Sequence, residues 1–257
     1  MELSIALGFL FIGMFFGSFY HVVGYRMSKG ESIVYPGSHC PECNHPLSPL
    51  ELIPVISFLI QGGKCRKCKT KISWLYPFAE LICGLLFMLA YISFGFTWQL
   101  LIAITFISML IIVFFSDCYY MIIEDKVLVF FGILLIIELY FINGFNSLLY
   151  SLLDGVIAFV VMLITKLLGD FAFKKESMGW GDIKLMLIIG LVLGYEMSLM
   201  NIFLAAIIGL PVSLIVLLKD KDHAIPFGPM LSIGAVIILL LQIDFTWVME
   251  HLFIRWY

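Results

Sequence analysis

Long apolar runs constrain this chain more than any other feature of its sequence. They fall at residues 3–25, 76–95, 98–116, 127–142, 147–168, 183–195, 198–218 and 228–248. A run of about twenty apolar residues can cross a hydrocarbon core of roughly 30 Å as a helix. Only 13% of the residues are charged and the mean hydropathy is +1.08, whereas a soluble domain is nearer a quarter charged. The sequence therefore predicts an all-α polytopic membrane protein with about eight transmembrane helices.

The first apolar run lacks the features of a cleaved signal peptide. It begins with the acidic Glu2, has no basic segment ahead of it, and is not followed by a small-residue cleavage site. We therefore expect residues 1–27 to remain as a first transmembrane helix. Residues 28–75 then form a loop, and residues 76–257 form a transmembrane helix bundle.

The lysines and arginines predict how the helices are oriented. Fourteen of the 15 basic residues fall on one side of the predicted helices, and only Arg255 falls on the other. Cytoplasmic loops of membrane proteins carry an excess of Lys and Arg. We therefore expect both termini to lie outside the cytoplasm and four loops to face it, namely residues 28–75, 117–126, 169–182 and 219–226.

Two aspartates stand where apolar runs meet predicted cytoplasmic loops. Asp182 follows Gly179 and Gly181 in the segment GWGDIKL, and Asp117 follows the third run in the segment FFSDCYY. An acid that caps a helix explains Asp182 by itself, because the helix dipole favours negative charge at an N-terminus. It explains the glycines less well, since glycine permits unusual backbone angles or close helix contact.

A pair of carboxyl groups at matched depth is what aspartic proteolysis requires. Two adjacent carboxyl groups do not both ionise easily, so they share a proton. The ionised group takes a proton from water, and the protonated group donates a hydrogen bond to the scissile carbonyl. The sequence thus favours Asp117 and Asp182 as a catalytic pair.

Four cysteines in the loop 28–75 have the spacing of a zinc ribbon. Cys40 and Cys43 form one C-x2-C pair, and Cys65 and Cys68 form a second pair after 21 residues. Four thiolates in this pattern suit tetrahedral zinc. A cytoplasmic loop disfavours disulfides, and no open ligand position is evident. We therefore expect a structural zinc site.

The motifs resemble those of the type IV prepilin peptidases, a family of intramembrane aspartic proteases. GWGDIKL is similar to the family's G-x-G-D-hydrophobic-K motif, and DCYYMIIEDK is similar to its other aspartate motif. The resemblance assigns catalytic roles to Asp117 and Asp182. Glu124 replaces the family's usual proline, and Asp125 is expected to cap a helix or pair at the interface. We expect Lys184 to extend towards lipid headgroups.

Further segments carry the same resemblance, among them GMFFGSFYHVVGYR, LIPVISFL, ISWLYPFAEL and IPFGP. It implies an enzyme of the bacterial cytoplasmic membrane that removes the leader of prepilin or pseudopilin precursors at the cytoplasmic face. It also implies N-methylation of the new N-terminal residue with S-adenosylmethionine. No methyltransferase motif is visible, and Glu80 is a candidate for that site. The lipid bilayer is the other expected partner, and nucleic acid is not expected.

Two other functions remain open from the residues. A presenilin-like protease would use the same paired carboxylates, but the zinc loop and IPFGP argue against it. A proton or ion transporter would relay ions through Asp117, Glu138, Asp154 and Asp182, because acids inside membranes mark such paths. Cleavage of a prepilin by purified protein distinguishes the enzyme from the transporter.

Overall fold

The computed structural model describes residues 2–219 and 225–246 of the chain. Arg255, Lys221 and the end of the last predicted run lie outside these residues. The described residues contain helices and no β-strand, which confirms the all-helical class. The helices are α1 (Glu2–Met27), a 3-10 helix (Pro49–Leu52), α2 (Ile56–Ile60), α3 (Leu75–Phe94), α4 (Trp98–Tyr120), α5 (Asp125–Phe173), α6 (Trp180–Leu193), α7 (Tyr195–Lys219) and α8 (Gly228–Leu241).

Five of the described helices are long and apolar enough to cross a membrane. They are α1, α3, α4, α5 and the part of α7 from Tyr195 to Val216. Helices α6 and α8 have 14 residues each, which corresponds to about 21 Å of helix against a hydrocarbon core of roughly 30 Å. The chain is therefore a membrane protein, while the count of eight spans stays a prediction.

The chain forms two compact units, Met1–Phe96 and Thr97–Tyr257. In the first unit, α1 packs closely along α3 through small residues. A Cβ added at Gly13 would lie 2.8 Å from Gly84 Cα, and one added at Gly17 would lie 2.7 Å from Cys83 Cβ. Glycines at such contacts let membrane helices approach closely. Cys83 is fully buried, as expected for a small apolar residue.

Helix α5 reverses its direction at Gly144. The backbone there is non-helical, with φ 81° and ψ 170°. Gly132 and Gly155 stand on either side of it, and a Cβ added to them would lie 3.4 Å from Ile188 Cδ1 and 2.7 Å from Leu187 O, respectively. A straight helix would separate the two glycines by about 35 Å at 1.5 Å per residue. Since both glycines face neighbouring residues of α6, the two halves of α5 run antiparallel. This agrees with the separate apolar runs at residues 127–142 and 147–168.

Helix α6 is held tightly against the second half of α5. A Cβ added at Gly190 would lie 2.8 Å from Gly155 Cα and 2.7 Å from Ala158 Cβ. Gly194 has a different role, because it ends α6 with a φ of +81°. This contact fixes the position of the helix that carries Asp182.

Candidate active site

Asp117 lies in the last turn of α4 and is only 5% exposed. Its Oδ2 accepts a hydrogen bond of 3.0 Å from the backbone N–H of Gly228. Gly228 is the first residue of α8, so its N–H is one of those that a helix leaves without an intrahelical partner. The start of α8 therefore holds one oxygen of this carboxyl group.

Asp182 is the third residue of α6 and is 7% exposed. Its carboxyl group accepts a hydrogen bond from the N–H of Gly179, the residue that caps the helix. This contact is one of the two hydrogen bonds of a capping box, the one in which the side chain of the third helical residue accepts from the N–H of the capping residue. Among the described residues, Asp182 Oδ1 has no hydrogen-bond partner although it is buried. Each aspartate thus has one glycine N–H as a fixed donor.

The side chain of Ile123 connects the two aspartate positions. A Cβ added at Gly181 would lie 2.8 Å from Ile123 Cβ, and one added at Gly228 would lie 3.0 Å from Ile123 Cδ1. Gly181 precedes Asp182, and Gly228 binds Asp117. The two carboxyl groups also interact electrostatically. The structure therefore brings together the two residues that the sequence singled out.

Neither glycine ahead of Asp182 has an unusual backbone angle, and only Gly181 is needed for space. Gly179 has a φ of −71°, which any residue adopts. At Gly181 the contact with Ile123 leaves no room for a side chain. Asp182 does lie in the first turn of α6, where the helix dipole favours it. Capping and placement beside Asp117 are therefore two properties of the same residue.

Asp125 and Lys184 form an ion pair at the edge of this region. Lys184 Nζ lies 2.7 Å from Asp125 Oδ1 and 2.8 Å from Oδ2. Lys184 therefore has a carboxylate partner at the start of α5 that the sequence did not indicate, while its extension towards headgroups stays a prediction. The side chains are 44% and 64% exposed, which keeps the energy of the pair small.

A buried lysine that the sequence reasoning used only for its charge anchors the loop before α6. Lys166 is 4% exposed, lies 3.1 Å from Asp170, and donates a 2.8 Å hydrogen bond to the carbonyl of Met178. The N–H of Ser177 donates to Asp170 at 2.6 Å. Lys166 was visible as the lone charge near the end of an apolar run. These contacts fasten residues 174–179 to α5.

The acids proposed for an ion relay have other partners. Glu138 accepts a 2.7 Å hydrogen bond from the hydroxyl of Thr105. Asp154 accepts a hydrogen bond from the N–H of Tyr195. Within residues 2–219 and 225–246, no hydrogen bond or ion pair connects either of them to the aspartate pair. The geometry thus gives no support to a continuous relay.

In the first unit, the four cysteines form one cluster that fits a zinc ion. All four Sγ atoms lie within 4.8 Å of one another. The Sγ atoms of Cys40 and Cys68 are 3.7 Å apart, and those of Cys43 and Cys65 are 3.9 Å apart. Tetrahedral zinc with Zn–S bonds of about 2.3 Å sets sulfur atoms roughly 3.8 Å apart. The cluster therefore has the spacing that zinc needs.

The two C-x2-C segments adopt the same turn. The N–H of Cys40 donates to the carbonyl of His45 at 3.0 Å, and the N–H of Cys65 donates to the carbonyl of Thr70 at 2.8 Å. All four cysteines are free thiols. The backbone therefore presents both pairs of sulfurs in equivalent geometry, as in a zinc ribbon.

Glu80 lies in α3 and is buried. Its Oε2 accepts a 2.7 Å hydrogen bond from the N–H of Val55, and Ser18 bonds its carboxyl group as well. None of the ion pairs among the described residues involves Glu80. Its contacts fasten the segment between the two cysteine pairs to α1 and α3.

Two family models match successive parts of the chain. The model of the bacterial Peptidase A24 N-terminal domain matches residues 11–94. The model of the Type IV leader peptidase family matches residues 104–214. The first match falls within the first compact unit, which holds the cysteine cluster. The second falls within the other unit and includes both aspartates.

Full-length relatives carry matching names. A prepilin leader peptidase/N-methyltransferase of Bacillus subtilis (strain 168) is 37% identical, over 91% of this chain and 94% of that protein. Proteins of the same name from Myxococcus xanthus (strain DK1622) and Pseudomonas aeruginosa are 34% and 31% identical, over 82% and 93% of this chain and 63% and 91% of theirs. No solved structure matches the chain. With two family models in sequence and a relative of this identity along nearly its whole length, the chain belongs to the type IV leader peptidase family.

Proposed function

We propose that the protein is a membrane aspartic endopeptidase that removes the leader of type IV prepilin-like precursors and N-methylates the new N-terminal residue. The observation that carries the proposal is the pair of buried aspartates, which interact electrostatically and are each held by a glycine N–H. Membership of the leader peptidase family and the names of the relatives support the same activity.

Asp117 and Asp182 are the proposed catalytic residues. The ionised member of the pair takes a proton from a water molecule, whose oxygen attacks the scissile carbonyl carbon. The protonated member donates a hydrogen bond to the carbonyl oxygen as negative charge develops there. Collapse of the tetrahedral intermediate breaks the C–N bond, and a proton passes to the departing amine.

The environment of the pair suits this reaction. One oxygen of each carboxyl group is held by a glycine N–H, which fixes the orientation of the group before substrate binds. Asp182 Oδ1 is buried and has no partner within the described part of the chain. That oxygen is available to bind water or the substrate carbonyl.

The membrane placement follows from the charges. We propose a multi-pass protein of the bacterial cytoplasmic membrane, with eight spans, both termini outside and the aspartates at the cytoplasmic face. The basic leader of a prepilin then stays in the cytoplasm while its apolar stem lies in the bilayer. The scissile bond lies at the interface between them, at the depth proposed for Asp117 and Asp182.

Conservative substitution of the pair tests the assignment. We expect Asp117→Asn and Asp182→Asn each to abolish leader cleavage of a purified prepilin, since neither variant can both activate water and protonate the substrate. Asp125→Asn is the matched control, because it removes a nearby carboxylate that pairs with Lys184 instead. Substantial leader cleavage by either the Asp117→Asn or the Asp182→Asn variant would refute the assignment.

We propose that the loop 28–75 binds one structural zinc ion through Cys40, Cys43, Cys65 and Cys68. The sulfur spacing supports this, and four thiolates complete the coordination shell without an open position for catalysis. Zinc would connect two segments of a loop with little regular structure.

Elemental analysis tests the metal site. Protein purified without chelators is expected to contain about one zinc per chain, and Cys40→Ser or Cys65→Ser is expected to lose it. Cys83→Ser is a control, because this buried cysteine lies outside the cluster. Protein without zinc that nevertheless resists proteolysis of the loop contradicts the proposal.

Methylation is proposed to occur in the part of the chain that holds the zinc loop, with S-adenosylmethionine as the methyl donor. The donor supplies an activated methyl group to the free amine and becomes S-adenosylhomocysteine. Glu80 remains a candidate for binding the substrate's ammonium group, although its present partners are Val55 and Ser18. The transporter and the presenilin-like protease are not favoured, since the relatives are named for prepilin processing.

A further inference from the structure

Large apolar side chains are exposed in the segment between the two cysteine pairs. Residues 52–63 contain no charged residue. Helix α2 buries Phe58, whereas Leu59 and Ile60 are 63% and 81% exposed, and Leu50 is exposed as well. An apolar stretch of this length is too short to span a bilayer and is typical of buried or interfacial segments. Because these side chains are not buried, the segment has the character of an interaction surface.

Contacts with α3 place this segment at the depth where that helix begins. The N–H of Val55 donates a 2.7 Å hydrogen bond to Glu80 Oε2, and the rings of Phe58 and Trp74 have centroids 4.7 Å apart. Trp74 caps α3, and Glu80 is its sixth residue. The step from the first residue to the sixth covers about 7.5 Å of helix. The segment therefore lies beside the first two turns of α3.

Helix α3 itself is long and apolar enough to cross a membrane. Its first turn exposes Leu75 and Phe78, and apolar side chains on the outside of a membrane helix face lipid tails of the same polarity. Trp74 is exposed as well, and tryptophan is enriched at membrane–water interfaces. A bilayer that surrounds α3 therefore meets Leu59 and Ile60 near its surface.

A cluster of basic residues follows α2 directly. Residues 52–75 contain no acid and carry five basic residues, all exposed, namely Lys64, Arg66, Lys67, Lys69 and Lys71. None of the ion pairs among the described residues involves the four lysines. The N–H of Ile72 donates to the carbonyl of Gly63 at 2.8 Å, which returns the end of this basic cluster to the residues after α2. Positive charge beside a membrane attracts the headgroups of anionic lipids.

We propose that residues 50–60 insert into one leaflet of the bilayer beside the start of α3, while the basic cluster binds the phosphate groups of anionic phospholipids. Apolar side chains at the interface and basic side chains at the headgroups are the combination that holds peripheral segments on membranes. A second copy of this chain fits the surface less well, because a symmetric contact would bring two basic clusters together.

The lipid contact has a consequence for the cysteine cluster. Cys65 and Cys68 lie within the basic cluster, and their Sγ atoms lie beside those of the first cysteine pair. Lipid bound to the basic cluster therefore holds the whole cysteine cluster at the membrane surface. The inference depends on α3 crossing the membrane and not on either proposed enzymatic activity.

Photocrosslinking from position 60 tests the insertion directly. Full-length protein carrying Ile60→p-benzoylphenylalanine is reconstituted in vesicles of equal parts phosphatidylcholine and phosphatidylglycerol and irradiated, and mass spectrometry identifies the adducts. Ile60 is exposed, so the replacement disturbs no core contact. We expect phospholipid adducts in which phosphatidylglycerol exceeds phosphatidylcholine at least about fivefold, since one basic residue near the surface contributes a factor of this size.

Neutralising the basic cluster tests the headgroup contact. The adducts from position 60 should approach equal amounts of the two lipids in a triple variant, Lys64→Gln, Lys67→Gln and Lys71→Gln. The matched control removes the same net charge from exposed lysines outside the basic cluster and should keep the preference for phosphatidylglycerol; it carries Lys126→Gln, Lys174→Gln and Lys175→Gln.

Each other outcome overturns a defined part of the proposal. Absence of phospholipid adducts at position 60 overturns the insertion. Crosslinks to a second copy of the chain in place of lipid overturn it as well and assign the surface to a dimer. Equal yields of the two lipids with all lysines present overturn the role of the basic cluster. None of these results bears on leader cleavage or methylation, which are assayed separately.

A second measurement uses only the wild-type protein, in case a variant fails to fold. Phosphatidylglycerol with a photoreactive diazirine in its acyl chain is incorporated into the vesicles, and labelled peptides are mapped after irradiation. We expect label on residues 50–60 in addition to α1 and α3. Label in the first compact unit that is confined to α1 and α3 refutes the insertion.

Discussion

Replacing Gly228 with alanine tests whether the start of α8 positions the candidate catalytic carboxyl group. The new Cβ would lie 2.6 Å from Asp117 Oδ2 and 3.0 Å from Ile123 Cδ1. Neither contact can be accommodated without movement, because Asp117 is buried and its Oδ2 already accepts the N–H of the same residue. The substitution therefore acts on the hydrogen bond and on the packing together.

The size of the effect follows from these two contacts. Overpacking a tight site costs about 1–3 kcal/mol of stability. Losing a hydrogen bond to a charged group costs about 1.5–3 kcal/mol, which corresponds to roughly a 10- to 150-fold loss if the bond acts in the transition state. We therefore expect Gly228→Ala to lower kcat/KM for leader cleavage by one to two orders of magnitude.

The assay compares prepilin cleavage and thermal unfolding for Gly228→Ala and Gly209→Ala in the same detergent. Gly209 lies in α7, where an added Cβ makes an ordinary 3.5 Å contact with Met230 Cγ. Because alanine is also the better helix former, Gly209→Ala should be at least as stable and as active as the wild type. Cleavage by Gly228→Ala within twofold of the wild type, with an unchanged unfolding midpoint, would refute the reasoning.

Three further substitutions test the surroundings of the pair. Lys166→Met should lower the free energy of unfolding by about 1–3 kcal/mol, because it leaves the Met178 carbonyl without its donor. Amide hydrogen exchange of residues 174–179 should then become faster. Unchanged exchange contradicts the anchoring role. Asp125→Asn and Lys184→Met should each retain most leader cleavage. A double-mutant cycle on the free energy of unfolding should give a coupling energy of no more than about 1 kcal/mol, because both side chains are exposed. A coupling above about 2 kcal/mol contradicts that estimate.

Some features of this protein could be predicted because they depend on short segments. An apolar run of about twenty residues predicts a membrane helix from its own composition, whatever its neighbours are. The C-x2-C pairs likewise predict tetrahedral coordination of a metal by four sulfurs, because their spacing in the sequence is local. In the folded chain the four Sγ atoms lie within 4.8 Å of one another. The motif GWGDIKL placed Asp182 at the start of a helix for the same reason.

Other features depend on contacts between distant segments. Lys184 was expected to extend towards headgroups, whereas the first residue of α5, Asp125, is its ion-pair partner. Lys166 stands out in the sequence as a charge near the end of an apolar run, but its hydrogen bond to the carbonyl of Met178 forms only in the folded chain. The residue pattern around Lys184 or Lys166 does not indicate these partners.

The sequence by itself determined the helical membrane class, the four clustered cysteines and the two aspartates, because residue type and local spacing specify each of them. Only the tertiary structure decided that glycine N–H groups from α8 and the cap of α6 hold those aspartates, and that Ile123 fills the space between Gly181 and Gly228. The physical reason is that hydrogen bonding and excluded volume act between atoms that meet only after folding. These contacts therefore depend on segments that are far apart in the chain.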